Sequence, residues 1–332
     1  MPGKLNGKAP LHPLRRSSLH LTSRPTQKET LMSNVLITGS SAGIGLETAI
    51  VLARAGHTVI ATMRNLERGV ALRAVIERER LPISIVQMDV DSDDSVNAAT
   101  SVIRAQIGHL DVLVNNAGIE RTGSIEGTPL ADFKAVMETN YFGALRTIQA
   151  WVPDMRQRRS GCIINITSVA GRIAPSPLAP YSASKFALEA LSEVLAQEVR
   201  PFGVRVAIVQ PGIIDTAMAR RIEHTATDLV YPQVRRFGHM FEASLDTPTS
   251  PTIVAAKIRE IIESGTATLR HPVGPDAEGF LAWRASLNDQ AWVEWGALPD
   301  EAWYERVRND FGLDARAKRG AADSASAPVV RV

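Results

Sequence analysis

The sequence is poor in cysteine and in clustered histidine. Cys162 is the single cysteine among 332 residues, so no disulfide can form within the chain. The seven histidines are scattered, and no Cys/His spacing is typical of a metal site. These absences exclude a disulfide-stabilised secreted scaffold, predict no bound metal, and favour a reducing compartment, which we expect to be the cytoplasm.

Long apolar runs and an excess of charge of one sign are also missing. No apolar run approaches the roughly 20 residues of a membrane-spanning helix, so no transmembrane segment is predicted. The net charge is +2, but residues 1–31 hold six basic residues and one acid, which leaves the rest of the chain net negative. Nucleic-acid binding needs a basic folded domain, so we expect no nucleic-acid partner.

The two ends of the chain differ in composition from its middle. Residues 1–31 are rich in Pro, Ser, Thr and basic residues and predict a disordered basic tail. This tail is interpreted either as an organelle transit segment or, preferably, as the result of a start codon placed before the true one at Met32. Beyond a domain at 32–275, with a substrate loop at about 215–248, we expect a C-terminal extension at 276–314 and a flexible tail at 315–332.

Short apolar runs alternate with longer amphipathic segments from residue 34 onward. The apolar runs predict strands at 34–38, 57–62, 83–88, 111–116, 162–167, 204–210 and 267–273. The amphipathic segments predict helices at 43–55, 66–80, 93–107, 129–157, 180–200 and 249–264. This alternation indicates an α/β fold, a doubly wound parallel (Rossmann) sheet, in which ligands bind beyond the carboxyl ends of the strands.

A glycine-rich stretch, "TGSSAGIG", follows the first predicted strand and opens the first helix. Gly39 permits the tight turn by which the chain leaves the strand. Gly43 lets the backbone approach a phosphate, and Gly45 lets the helix pack close to the sheet. Ser41 and Ile44 lie in the same loop. An ordinary Gly/Ser turn is the alternative, but the position between strand and helix favours a dinucleotide.

Further motifs follow the later strands in order: "NNAG" at 115–118, "TSVAG" at 167–171, "YSASK" at 181–185 and "PGIIDT" at 211–216. With the glycine loop, they make residues 33 to 272 resemble the short-chain dehydrogenase/reductase family, in its shorter oxidoreductase branch. The long C-terminal extension is similar to that of the hydroxysteroid and retinol dehydrogenase-like members. The resemblance implies further cofactor-binding residues at Asp89, Val90, Asn116, Ala117, Gly118, Pro211, Gly212, Ile214 and Thr216.

The end of the second strand bears on which nicotinamide cofactor binds. The sequence "ATMRN" has no acid there to hold the ribose hydroxyls of NAD, and it has Arg64. A guanidinium can grip a 2′-phosphate in a charge-assisted contact. We therefore expect NADP(H); the alternative is that Arg64 is an ordinary exposed loop arginine.

Tyr181 and Lys185 are four residues apart on a predicted helix, so they share one face, and Ser168 leaves the fifth strand toward the same place. We expect Tyr181 to exchange the proton, Lys185 to lower the Tyr181 pKa, and Ser168 to donate to the substrate oxygen. The family resemblance implies that Lys185 also holds the nicotinamide ribose and that Asn140 anchors a water in the proton relay. The alternative for each residue is an ordinary surface pair or turn.

By family analogy, the substrate loop contributes Phe237, Met240 and Phe241. Glu120, Gly171, Arg172 and Ile213 are expected near the reaction centre. Four of the five tryptophans fall at 283–303, a stretch that could be a lid, an interface or a membrane-surface helix; core packing or dimer contact is favoured.

The expected function is interconversion of a small-molecule carbonyl and alcohol with NADP(H), on a bulky lipophilic substrate such as a steroid, a retinoid or a long-chain or aromatic ketone. The alternative is a regulator that senses NADP(H) without turnover, and a membrane-associated role is third. The family implies a homodimer or homotetramer.

Overall fold

A computed structural model describes residues 32–222 and 230–318 of the chain. The predicted basic tail at 1–31 lies outside these ranges. Part of the predicted substrate loop, at 223–229, and part of the predicted C-terminal tail, at 319–332, also lie outside them. Seven parallel strands form one sheet. They are β1 (Asn34–Ile37), β2 (Thr58–Met63), β3 (Ile83–Gln87), β4 (Val112–Asn115), β5 (Gly161–Ile166), β6 (Val204–Pro211) and β7 (Arg270–Val273).

The described ranges hold twelve α-helices. They are α1 (Gly43–Arg54), α2 (Val70–Glu79), α3 (Asp93–Ile107), α4 (Leu130–Met137), α5 (Gly143–Arg158), α6 (Ala179–Val199), α7 (Ala219–Ile222), α8 (Gln233–Ser244), α9 (Thr252–Ser264), α10 (Ala277–Ser286), α11 (Asp289–Ala297) and α12 (Asp300–Phe311). Short 3-10 helices occupy Leu66–Gly69, Val169–Gly171, Arg200–Phe202 and Ala315–Lys318. The predicted doubly wound fold is confirmed.

Strand order runs β3-β2-β1-β4-β5-β6-β7, so it reverses between β1 and β4. Both faces of the sheet are covered. In β1, Val35 and Ile37 pack into a core shared with α1 and α9, while Leu36 packs into a second core with α3, α5 and α6. Burial on both faces explains why the strands read as continuous apolar runs rather than as alternating patterns.

A chain of buried polar side chains crosses the second core and joins two helices through two strands. Thr147 of α5 donates to Asn115 at 2.6 Å, Asn115 donates to Asn165 at 2.9 Å, and Asn165 donates to Ser192 of α6 at 2.8 Å. Because buried amides without partners are costly, this chain fixes α5 and α6 on β4 and β5.

The predicted long helix at 129–157 is interrupted. A π-helical turn at Glu138–Phe142 separates α4 from α5. At Gly143, directly after this turn, an added Cβ would lie 2.8 Å from Val90 Cγ2. The backbone therefore approaches the loop after β3 closely at this point, and the extra residue of the π turn places Asn140 on the inner side.

The C-terminal extension consists of α10, α11 and α12 and the 3-10 turn after them. Ala315 is fully buried and Lys318 pairs with Asp246 at 2.7 Å. The expectation of a flexible tail from residue 315 therefore needs correction, because residues 315–318 pack against α8.

None of the helices within 32–222 and 230–318 is long and apolar enough to cross a membrane. In the same ranges, no three His, Cys, Asp or Glu side chains gather as metal ligands. Cys162 lies in β5 with 1% of its surface exposed, and burial raises the pKa of its thiol to about 11. It is thus a core residue rather than a nucleophile.

Candidate active site

A cleft of about 1180 Å³ runs along the carboxyl edge of the sheet, where strand order reverses. One end is the loop after β1, and the other is formed by aromatic side chains of the C-terminal extension. The predicted residues that line the cleft are Gly39, Ser41, Gly43, Ile44, Arg64, Asp89, Val90, Asn116, Ala117, Gly118, Ser168, Tyr181, Lys185, Pro211, Gly212, Ile214 and Thr216.

The glycines at the first end are required by close backbone approach. Gly39 has φ +71°, and a Cβ there would lie 2.8 Å from the Cα of Ala117. A Cβ at Gly45 would lie 2.4 Å from the carbonyl oxygen of Gly39 and 2.5 Å from Nδ2 of Asn116. Gly45 is buried and does not line the cleft. Its role is to let α1 pack against the loop, as the sequence indicates.

The start of α1 is open to the cleft. Its N-cap is Ala42, no side chain caps the helix, and there is no acid in its first turn. The first N–H groups of a helix have no partner within the helix and carry partial positive charge. Backbone of this kind, beside Gly43 with φ +57°, fits a diphosphate, so Gly43, Ile44 and the residues before them would hold that part of a dinucleotide.

Arg64 lies at the end of β2 with 69% of its side chain exposed, and its nearest acid is Asp91 at 4.0 Å. At that distance the ion pair is weak and leaves the guanidinium available. Arg68, in the 3-10 helix that follows, lines the same part of the cleft, and the sequence reading missed it. A signal existed: "RNLER" places a second arginine about one turn after the first.

Ser168 and Tyr181 meet on the other side of the cleft. Ser168 follows β5, where its hydroxyl accepts from the backbone N–H of Ala170 at 3.0 Å and donates to the carbonyl oxygen of Pro211 at 3.4 Å. Its interaction with Tyr181 lowers the pKa of that phenol. Tyr181 lies in the first turn of α6, and Pro180 before it suits the start of a helix. The two hydroxyls predicted to act together therefore both belong to the lining of the cleft.

Lys185 lies one helical turn after Tyr181 and is 4% exposed. Its Nζ is 5.5 Å from the centre of the Tyr181 ring and donates to the carbonyl oxygen of Ile166 at 2.9 Å. An added Cβ at Gly118 would lie 3.7 Å from the same Nζ. The amine is thus held in a narrow space between β5 and the loop after β4.

The pKa of Tyr181 differs from the expectation. Burial raises the Tyr181 pKa to about 12, the charge of Glu120 acts in the same direction, and the hydrogen bond with Ser168 opposes them. Burial lowers the pKa of Lys185 to about 8. The pKa of Tyr181 is therefore shifted upward, opposite to the expected lowering, because desolvation of the phenolate outweighs the interaction with Ser168.

Asn140 does not line the cleft. Its side-chain oxygen accepts from the N–H of Ile119 at 2.8 Å, and its amide nitrogen donates to Ile119 O and to Ser184 Oγ, both at 2.9 Å. It is 1% exposed. Asn140 thus joins the loop after β4 to α6, directly behind the site.

The predicted substrate residues divide into two groups. Phe237, Met240, Phe241, Glu120 and Ile213 line the cleft. Gly171 and Arg172 do not: Gly171 packs on α6, where a Cβ would lie 3.0 Å from Glu189 Cγ, and Arg172 is exposed, 3.9 Å from Glu193. Gly171 nevertheless lies beside Lys185, since the same Cβ would be 3.2 Å from the Lys185 carbonyl oxygen. The expected place of Gly171 and Arg172 near the reaction centre stays a prediction.

The C-terminal extension supplies an aromatic wall, formed by Phe280, Trp283, Trp292, Trp295 and Phe311. Trp283 packs edge-to-face on Trp295 at 5.0 Å and on Phe311 at 4.8 Å. Trp303 is 4% exposed and packs behind the wall. The sequence favoured core packing or dimer contact for these tryptophans. Trp303 is indeed a core residue, whereas the other three tryptophans of the extension line the cleft. The sequence reading missed Phe280 and Phe311.

Comparisons with known proteins agree with this geometry. The sequence pattern of the family described as short chain dehydrogenase matches residues 33–227. The chain is 36% identical to retinol dehydrogenase 8 of Bos taurus over 271 residues, which cover 76% of this chain and 84% of the relative. It is 38% identical to 3-ketodihydrosphingosine reductase of Bacteroides thetaiotaomicron over 252 residues, covering 75% and 90% of the two chains.

Among solved structures, the fold is similar to that of a gluconate 5-dehydrogenase from Burkholderia cenocepacia in complex with NADP and tartrate. The TM-score is 0.65 at 26% identity, covering 74% of this chain and 95% of the other. The sheet thus agrees with that of a solved dehydrogenase, and the relatives named above are a dehydrogenase and a reductase. The chain belongs to the short-chain dehydrogenase family and is a hydride-transfer oxidoreductase similar to the retinol dehydrogenases.

Proposed function

We propose that this protein interconverts a bulky lipophilic carbonyl compound and its alcohol with NADP(H). The observation that carries the proposal is that Ser168, Tyr181 and Lys185 line the same cleft as the open start of α1, with the Lys185 amine 5.5 Å from the centre of the Tyr181 ring. A protein that only senses a dinucleotide needs the open helix start but has no use for this pair of hydroxyls.

NADP(H), when bound, supplies or accepts the hydride. Arg64 supports the phosphorylated cofactor, since its guanidinium is exposed at the cleft and held by no close carboxylate. Arg68 adds a second positive charge to the same end. Asp91 is the acid nearest to Arg64, and at a distance of 4.0 Å it leaves the Arg64 guanidinium free to reorient toward a phosphate.

The proton steps follow from the two hydroxyls and the amine. As negative charge develops on the carbonyl oxygen during reduction, the neutral phenol of Tyr181 donates its proton to that oxygen, and Ser168 donates a hydrogen bond to it. The ammonium of Lys185 stabilises the phenolate that this leaves. The raised pKa of Tyr181 keeps the phenol protonated at neutral pH, as a proton donor for carbonyl reduction must be.

A lipophilic substrate is supported by the opposite wall. Five aromatic side chains line it, and rings of this size bind apolar or ring-shaped molecules through large contact areas. The names of two relatives, a retinol dehydrogenase and a 3-ketodihydrosphingosine reductase, agree with a lipophilic substrate. We therefore place the reacting carbonyl near Tyr181 and the apolar body against Trp283, Trp292 and Trp295.

The test measures NADPH oxidation with a panel of steroid, retinoid, long-chain and aromatic carbonyl compounds, in wild type and in Tyr181→Phe. Turnover by the wild type that is lost in Tyr181→Phe, with NADPH affinity kept, is the expected result. Binding of NADPH without turnover on any compound would favour the sensing regulator. Turnover retained by Tyr181→Phe would refute the mechanism.

A further inference from the structure

Glu120 is a buried carboxyl on the wall of the cleft that the proton steps do not use. It is 8% exposed and lies two residues after Gly118, in the loop that follows β4. Two other acids line the cleft, Asp89 and Asp91, and both follow β3, at the end marked by Arg64. Glu120 is therefore the acid of the substrate side.

The hydrogen bonds of the Glu120 carboxyl are incomplete. Thr122 donates its hydroxyl to Oε1, and within 32–222 and 230–318 no other hydrogen bond to this carboxyl is found. Arg121 does not pair with it: its guanidinium donates to the backbone oxygen of Glu120 at 2.8 Å and to Asp132 at 3.1 Å. A carboxylate can accept about four hydrogen bonds, so Glu120 has acceptor sites to spare.

Glu120 also lines the same cleft as the reacting group, Tyr181. Its charge acts on the hydroxyl of Tyr181, and the loop that carries it passes Lys185 at Gly118. This proximity hinders the chemistry, because a negative charge beside Tyr181 opposes formation of the phenolate. Burial raises the pKa of Glu120 itself, against the hydrogen bond of Thr122 and the charges of Arg221 and Arg121. Burying the Glu120 carboxylate at this position costs free energy, and a hydrogen bond from a bound molecule would offset that cost.

We propose that Glu120 is a specificity-determining residue that accepts a hydrogen bond from a donor group on the substrate, a hydroxyl or an ammonium on the carbon next to the reacting carbonyl. The proposal rests on the proposed carbonyl reductase function and defines its substrate class. The substrate is an amphiphile with two groups at its polar end. The carbonyl lies at Ser168 and Tyr181, and the hydrogen-bond donor lies at Glu120. Its apolar body extends along the aromatic wall.

The experiment uses three matched ketones with NADPH: acetophenone, α-hydroxyacetophenone and α-aminoacetophenone. They are compared in wild type, Glu120→Gln, Glu120→Leu and the control Glu77→Gln. Glu77 lies on the exposed face of α2, away from the cleft, and receives the same chemical change. A hydrogen bond to a charged group corresponds to roughly a tenfold to hundredfold effect on kcat/KM.

We expect wild type to favour the substituted ketones. Glu120→Leu should lower kcat/KM on them by at least about tenfold relative to acetophenone, whose own kcat/KM can rise because the charge that opposes the Tyr181 phenolate is gone. Glu120→Gln should lie between wild type and Glu120→Leu. Loss on both substituted ketones assigns the site to donors in general, and loss on the α-amino ketone alone assigns it to a cation. An equal change on all three ketones, or none, overturns the proposal.

A binding measurement separates this proposal from the proposed function. Quenching of the cleft tryptophans by 1-phenyl-1,2-ethanediol and by 1-phenylethanol requires no turnover. Glu120→Leu should weaken binding of the diol by about tenfold and leave 1-phenylethanol unchanged. If wild type reduces none of the ketones but shows this selective binding, the proposed reaction fails and the Glu120 subsite stands. If binding of the diol is unchanged, the subsite fails.

Discussion

The amine of Lys185 donates a hydrogen bond to the carbonyl oxygen of Ile166, the last residue of β5, at 2.9 Å. This contact holds a buried cation at the carboxyl edge of the sheet, 5.5 Å from the centre of the Tyr181 ring. Burial without a carboxylate partner lowers the Lys185 pKa from 10.5 to about 8. Folding stability therefore depends on the charge of this one side chain, and in the proposed mechanism the reaction rate depends on it as well.

Folding stability should rise with pH between about 8 and 10.5, and Lys185 should be the cause. In that window the unfolded chain binds a proton on Lys185 that the folded chain has lost, so the stability cost of burying the charge disappears as pH rises. Relative to Lys185→Met, wild type should gain up to about 3 kcal/mol. Urea unfolding of both proteins at pH 7 and pH 10 measures this difference; equal pH dependence in the two would contradict it.

The rate of carbonyl reduction should be level below about pH 7 and fall above about pH 8. Lys185 loses its proton there, whereas Tyr181, with a pKa of about 12, stays protonated. The measurement is kcat/KM against pH with NADPH. Lys185→Arg keeps its charge throughout, so any activity it retains should lack the decline. A decline at the same pH in that variant would assign it to another group.

Arg64→Ala should weaken NADPH binding by about tenfold to a hundredfold, the effect of losing one charge-assisted contact, and should leave NADH binding nearly unchanged. Arg64→Asp should reverse the preference between the two cofactors. Arg78→Ala, on exposed α2, is the matched control. Nicotinamide fluorescence titrations give both dissociation constants without turnover, and an unchanged ratio for the Arg64 variants would leave the cofactor preference unexplained.

Gly45→Ala should abolish dinucleotide binding and lower the free energy of unfolding. Its Cβ would lie 2.4 Å from Gly39 O and 2.5 Å from Asn116 Nδ2, so α1 or the glycine loop must shift. Gly279 in α10 has no atom within 4 Å of an added Cβ. Gly279→Ala should therefore stabilise the protein by up to about 1 kcal/mol through helix propensity. Thermal unfolding and cofactor titration of both variants provide the comparison.

Homodimer or homotetramer formation stays a prediction of the family resemblance. Sedimentation velocity of the full chain measures it directly. The cytoplasmic location and the interpretation of residues 1–31 stay predictions as well.

Much of the fold was readable from the sequence because a parallel sheet buried on both faces produces apolar runs that end where the strands end. All seven strands lie within three residues of their predicted bounds. The cleft lining was readable for a similar reason: Gly39, Gly43, Arg64 and the residues after each strand lie along one edge of the sheet because the order of strands and helices puts them there. Their contacts with a cofactor stay predictions. The same order brought Ser168 and Tyr181 together.

Contacts between segments distant in the chain were not readable. Three features depend on how whole elements meet: the π-helical turn that places Asn140 behind the loop after β4, the packing of Gly171 on α6, and the packing of Phe280 and Phe311 beside Trp283. The direction of the Tyr181 pKa shift depends on burial and on Glu120. Local pattern thus determined the sheet and its reactive edge, because hydrophobic periodicity and glycine geometry are properties of neighbouring residues. Tertiary structure alone decided the electrostatics and the substrate wall, because desolvation and side-chain contact arise only when remote segments pack together.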